Sequence, residues 1–228
     1  MNFPFTTLDY IAVGWFFVIW IGYQRFAAWR ARHGHPSLMS TMGGYRKEWW
    51  TEMLDRELRI VDVSILTTLS NSATFFASTT LLILGGLLAL LGSADRVIIV
   101  MAELPFAAGT QEAMWEYKIL LLIGIFVYAF FKFTWSLRQH NFCSVLVGAA
   151  PRHETDAEKR DAFVTRSARI ASSASDNFNY GLRAYYFGLA ALTWFMNSWM
   201  FMVVTSWVVF VLYWREFRSR ALQVLLRA

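Results

Sequence analysis

AYYFGLAALTWFMNSWMFMVVTSWVVFVLYW, residues 184 to 214, runs for thirty-one positions without a charge between Arg183 and Arg215. As one straight helix at about 1.5 Å per residue it would be roughly 46 Å long, against a hydrocarbon core of about 30 Å. That is too long for one ordinary crossing. Either the run is an oversized span, or it folds back near Met196-Asn197-Ser198 into two shorter ones.

The composition points the same way. The chain is 57% hydrophobic, 18% aromatic and 16% charged, with a mean hydropathy of +0.39, whereas soluble domains carry about 25% charged residues. It reads as all-α, a polytopic transmembrane helix bundle with amphipathic cytoplasmic helices, in one membrane domain over 1–228. Cys143 is the only cysteine, so an intrachain disulfide and a cysteine metal cluster are excluded. The start, MNFPFTTLDY, lacks a basic n-region, and the first apolar segment is read as a span that stays in the membrane. Thr6 or Thr7 with Asp9 forms a helix-capping signal at its mouth.

Five apolar segments are expected at about 8–24, 64–91, 118–136, 180–196 and 198–215. Basic residues orient them, because Lys and Arg accumulate in cytoplasmic loops near span ends. Residues 1 to 24 carry none, Gln24 to Asp62 carry seven, Gly92 to Lys118 carry two (Arg96 and Lys118), Ser136 to Arg183 carry seven, and the tail after Trp214 carries four. Four crossings would export that tail. Five keep it inside, leaving two of twenty-one basic residues outside. The expectation is a bacterial inner membrane protein with its N-terminus outside and its C-terminus cytoplasmic. Trp194 and Trp199 then flank an outer turn while Tyr213 and Trp214 mark the inner edge. Ala184 to Phe195 is short for a span, so its helix should begin earlier, near Asn177 to Leu182.

Two cytoplasmic connections, about 44–61 and 155–178, read as helices. In the first, Trp50, Met53, Leu54, Leu58 and Val61 recur at helical spacing, with Glu52/Arg56 and Asp55/Arg59 as i,i+4 pairs. Arg46, Lys47, Trp49 and Trp50 suit a seat among anionic lipid headgroups. The apolar face has two possible covers, the membrane surface or another helix. The second connection follows Pro151 with Thr155-x-x-Glu158, a capping-box spacing. Its small residues Ala168, Ala171, Ser172, Ala174 and Ser175 allow close helix packing, and it is expected to run into the fourth span unbroken.

Polar side chains within spans are functional candidates because hydrocarbon offers them no partner. Lys132 stands on the third span, with Asp62 or Asn71 as partners, or else it snorkels to the inner edge. Arg138, His140 and Asn141 group at the inner end of that span, and Arg183 with Asn177 and Asn179 should share their depth. Such a ring would hold an anionic headgroup or small anion, or serve as an ordinary arginine collar. No histidine pair has helical zinc spacing, and His140 alone is a weak haem signal, so no metal and no cofactor are expected. Gly43-Gly44 and Gly85-Gly86 are too short to cradle phosphate; the second pair reads as close packing. There is no phosphate loop, dinucleotide fingerprint or nucleophile elbow, hence no catalytic residue. The isoelectric point near 9.5 follows from the arginines and does not imply nucleic acid.

RKEWWTEMLDRELRIVD, SNSATFFASTTLLILGG, WSLRQHNF and FNYGLRAYYF, in this order, resemble a family of bacterial and plant integral membrane proteins known as domain of unknown function 599. The resemblance spans roughly Arg46 to Tyr213 and implies a helical membrane fold. That family has no assigned activity, so no site residue is carried over. The functional expectation is a non-enzymatic integral membrane protein that associates with itself, as a homo-oligomer, or with another membrane complex. The alternative is a channel or carrier for a small ion or solute, lined by Lys132, Asn71, Arg138 and Arg183. A carrier should show inverted repeats, and none is evident in the sequence.

Overall fold

The computed structural model describes residues 5–93, 112–152 and 155–227. Arg96 and His153 lie outside them. The described chain is all-α, without a strand. Its helices are α1 (Thr7–Arg32), α2 (Leu38–Asp55), α3 (Ile60–Leu91), α4 (Glu112–Gly148), α5 (Ala157–Leu192), α6 (Ser198–Phe217) and α7 (Arg220–Arg227). Four stretches are long and apolar enough to cross a membrane: Thr7–Ala31, Ile60–Leu91, Met114–Gly148 and Ser198–Leu226. The apolar end of α5 is not among them.

Local chemistry explains the starts. Thr6 and Asp9 form a reciprocal capping box at α1, and Ser37 with Ser40 does the same for α2, each satisfying orphan N–H groups of a first turn. At α5 the first helical residue is Ala157, so the cap position falls on Asp156, one residue past Thr155.

The charge-free run is two helices. α5 closes at Leu192, a 3₁₀ turn covers Thr193–Phe195, and α6 restarts at Ser198. Asn197 caps that restart, its Oδ1 accepting from the Trp199 amide at 2.8 Å, the role short polar side chains favour at a helix start. The two arms return antiparallel. Trp194 stacks on Phe201 with centroids 5.5 Å apart, and farther along Arg215 Nη1 donates to the Tyr186 hydroxyl at 2.7 Å.

The fold divides into two compact units. One comprises Met1–His35, Thr80–Ala129 and Leu182–Arg215. Its core is aromatic, with Phe16 against Phe201 at 5.2 Å and Trp20 stacked on Phe187 at 5.4 Å. Asp9, buried, ties this unit at the turn: its Oδ1 accepts from Trp194 Nε1 at 3.0 Å and from Ser198 Oγ at 2.5 Å. One carboxylate thus closes the α1 cap and the α5–α6 turn together. Lys118, also buried, lies 5.4 Å over the Trp194 ring.

The other unit comprises Pro36–Thr79, Phe130–Gly181 and Glu216–Ala228. Trp50, Met53 and Leu54 from α2 form its core with Leu66, Cys143, Val147, Phe163, Val164, Ala168 and Ala171. The apolar face of α2 is therefore covered by helices. Trp50 is fully buried, which corrects its assignment to a lipid headgroup seat. A helix through 44–61 is corrected as well: α2 stops at Asp55, Arg56 is extended, and Leu58 and Val61 are exposed. The expected pairs Glu52/Arg56 and Asp55/Arg59 are replaced by Arg56 with Asp62 and Arg160 with Asp55, because the break turns Arg56 toward α3 and Arg59 toward the Val147 carbonyl of α4, leaving Asp55 to α5.

Close packing falls on a different glycine from the expected pair. A Cβ on Gly85 or Gly86 would meet nothing within 4 Å, whereas one on Gly181 would lie 2.6 Å from the Phe133 ring.

Candidate functional site

The second unit holds a polar ladder between α4 and α5. Lys132 Nζ donates to Asn177 Oδ1 at 3.2 Å, and its ammonium stands 5.3 Å from the Tyr180 ring centre. Asn177 Nδ2 donates to Gln139 Oε1 at 3.0 Å and to the Ser173 carbonyl at 2.9 Å. Gln139 Nε2 closes on Ser173 Oγ at 2.7 Å, and Ser136 Oγ donates to the Ala174 carbonyl at 2.7 Å. The spacing explains the ladder: 132, 136 and 139 share one face of α4, and 173, 177 and 180 share one face of α5. Each polar side chain of the ladder finds a partner, which offsets the cost of burying it.

Lys132 thus pairs with Asn177 and Tyr180, not with the expected Asp62 or Asn71. Asp62 is fully buried and its Oδ1 accepts from Arg56 at 2.6 Å and from Trp49 Nε1 at 2.7 Å. Trp49 is therefore an α2–α3 clamp. Asn71 lies on the exposed face of α3.

The proposed ring of Arg138, His140, Asn141 and Arg183 is not assembled as one cluster within either unit. Arg138 and Asn141 are exposed, Arg138 lying 5.7 Å from the Phe142 ring one turn on. Arg183 belongs to the first unit, where it is buried with its guanidinium 5.3 Å over Tyr23. His140 is buried, and neither ring nitrogen reaches a partner at hydrogen-bonding geometry among the described residues.

Arg46 is partly buried beside Asp176; burial pushes its guanidinium pKa down and the carboxylate of Asp176 opposes that. Lys47 reaches Asp161 at 3.9 Å with both side chains largely exposed, an ion pair of little energetic weight. Among the described residues no group of three His, Cys, Asp or Glu is placed to hold a metal ion.

The four blocks of sequence resemblance fall on α2 with the start of α3, the middle of α3, the α4 segment that carries Ser136 and Gln139, and the part of α5 that carries Tyr180. A family model described as "Protein of unknown function, DUF599" matches residues 11–221. The chain belongs to the DUF599 family. That match covers α1 to the start of α7, so both compact units are DUF599 structure. No curated protein and no solved structure matches the chain.

Three positions of this DUF599 chain escaped the sequence reading. In the sequence Asp9 signals only a cap, yet it also binds Trp194 and Ser198. Gln139 carries no signal by itself, although its place seven residues after Lys132 puts it on the same helix face. Lys118 looks like a loop charge, and no pattern in the sequence marks its burial.

Proposed function

We propose that this DUF599 protein is a non-enzymatic, multi-pass protein of a bacterial inner membrane that associates with itself through α3. Its N-terminus lies outside and its C-terminus inside, with α5 and α6 as the two arms of a membrane hairpin. The basic residues after Trp214 and the antiparallel return of α6 support this orientation.

The observation that carries self-association is the free face of α3. Thr67, Asn71, Thr74 and Ser78 are all exposed and spaced four, three and four apart, the spacing of a left-handed helix seam. Thr67 and Thr74 spend their hydroxyls on carbonyls one turn back, at 2.9 and 3.0 Å. The Asn71 amide makes no hydrogen bond among the described residues. An amide is both donor and acceptor, so two copies of Asn71 satisfy each other across a two-fold axis, an interhelical bond contributing about 0.6–2 kcal/mol in a bilayer. Length argues likewise. The 32 residues of α3 extend about 48 Å, beyond a hydrocarbon core of about 30 Å even when strongly tilted, yet apolar side chains from Ile60 to Leu90 remain exposed along it. Lipid does not cover all of that face.

Cysteine cross-linking in native membranes tests this, with buried Cys143 as a silent background. Asn71→Cys and Thr74→Cys should give disulfide-linked dimers, and Val203→Cys on the exposed side of α6 should not. Equal cross-linking at all three, or none on α3, would sink self-association through this face. The channel alternative ranks lower because Lys132, Asn177, Gln139 and Ser173 satisfy one another.

A further inference from the structure

The first unit contains an apolar groove of about 510 Å³ between α1 and α4. Phe17, Ile21 and Gln24 line it from α1, and Leu121, Gly124 and Tyr128 from α4. Its size falls in the range of about 300–1,000 Å³ typical of small-molecule sites, as does its makeup of many apolar groups and few polar ones. Gly124 keeps it open: a Cβ there would meet nothing within 4 Å.

The groove has a polar end. Gln24 lies one turn past Ile21, and its amide makes no hydrogen bond among the described residues. Arg25 continues the row Phe17, Ile21, Arg25 at i,i+4 spacing. It is exposed and has neither a hydrogen bond nor an ion pair among the described residues. Side chains on a helix lean toward its N-terminus, which directs Arg25 toward Ile21, a residue of the groove wall. Arg25 stands eighteen residues beyond Thr7 on α1, about 27 Å along the axis, where a bilayer's hydrocarbon gives way to phosphates. An apolar slot ending in an unpaired cation at that depth matches one kind of molecule: an acyl chain with a phosphate at its head.

We propose that this groove is a binding site for one acyl chain of an anionic phospholipid, whose phosphate is held by Arg25 and Gln24. This site is separate from the α3 face and does not depend on self-association.

The test is native mass spectrometry of the full-length, detergent-solubilised protein, titrated with phosphatidylglycerol and, separately, with phosphatidylcholine. Wild type should retain one phosphatidylglycerol in preference to phosphatidylcholine. Arg25→Gln should weaken that preference about fivefold, the factor that about 1 kcal/mol per basic residue near an anionic surface represents, and Arg25→Lys should restore it. Gly124→Phe, which fills the slot from a position with room for a side chain, should reduce retention of both lipids; Gly124→Leu serves if the phenylalanine variant does not fold. Unchanged retention in the Gly124 variants would overturn the groove. Loss in those variants with no preference between lipids and no effect of Arg25→Gln would overturn the anionic occupant in favour of a neutral chain.

Discussion

Gly181 is where the packing of the second unit is least forgiving. A Cβ there would lie 2.6, 2.7 and 2.9 Å from Cε1, Cζ and Cδ1 of Phe133, against ordinary carbon contacts of about 3.5–4.0 Å. The ring must therefore retreat by about 1 Å. It has nowhere to go, being fully buried and held at 5.2 Å by Phe76 and at 5.5 Å by Phe178. Overpacking of this kind costs about 1–3 kcal/mol, while replacing a helical glycine by valine returns only about 0.4 kcal/mol of propensity. Gly181→Val should thus destabilise by about 2 kcal/mol in detergent-denaturation titrations followed by tryptophan fluorescence. Phe133→Leu, which removes Cε1 and Cζ, the two closest of the colliding atoms, should cost less in the Gly181→Val background than in wild type, with a coupling of about 1 kcal/mol or more, as expected for residues in direct contact. Gly85→Ala is the control and should be neutral or stabilising, since its Cβ meets nothing within 4 Å. Additive Gly181 and Phe133 effects would refute the steric reasoning.

Three further outcomes concern charged side chains. Asp9→Ala removes the acceptor shared by Thr6, Trp194 and Ser198; hydrogen bonds to a charged group contribute about 1.5–3 kcal/mol each, so denaturation should show a loss of at least about 3 kcal/mol and proteolysis should begin near residues 193–198. Arg56→Met leaves the fully buried Asp62 without its cation and should cost toward the lower end of about 3–5 kcal/mol, since Arg56 is itself 41% exposed. The double change Arg56→Met/Asp62→Asn should recover most of that, because a neutral amide still accepts from Trp49. Liposomes carrying wild type or Lys132→Met should show the same small-ion permeability as protein-free liposomes; flux abolished by Lys132→Met would revive the channel reading.

The sequence made the helical class legible because uncharged runs and the placement of arginines report directly on the solvent each segment requires. The same kind of signal marked Trp50, Met53 and Leu54 as one face. Periodicity shows that such a face must be covered without naming the cover, and helices rather than lipid cover it. Lys132 stood out as an ion in an apolar run, but its partner Asn177 is forty-five positions away, a pairing that only the packing of α4 on α5 creates. The glycines make the point most sharply. Gly85-Gly86 looks like a packing motif, yet a Cβ on either would meet nothing within 4 Å among the described residues, while the isolated Gly181 meets Phe133 because of where α5 crosses α4.

In the orientation proposed, the turn between α5 and α6 within residues 184–214 lies on the outer side of the membrane. Met196 is exposed at the turn, and Cys143 is buried. Labelling Met196→Cys in intact cells with a membrane-impermeant maleimide tests the claim most directly. Labelling from outside, before any permeabilisation, is the predicted result. Labelling only after the inner membrane is opened would contradict the account.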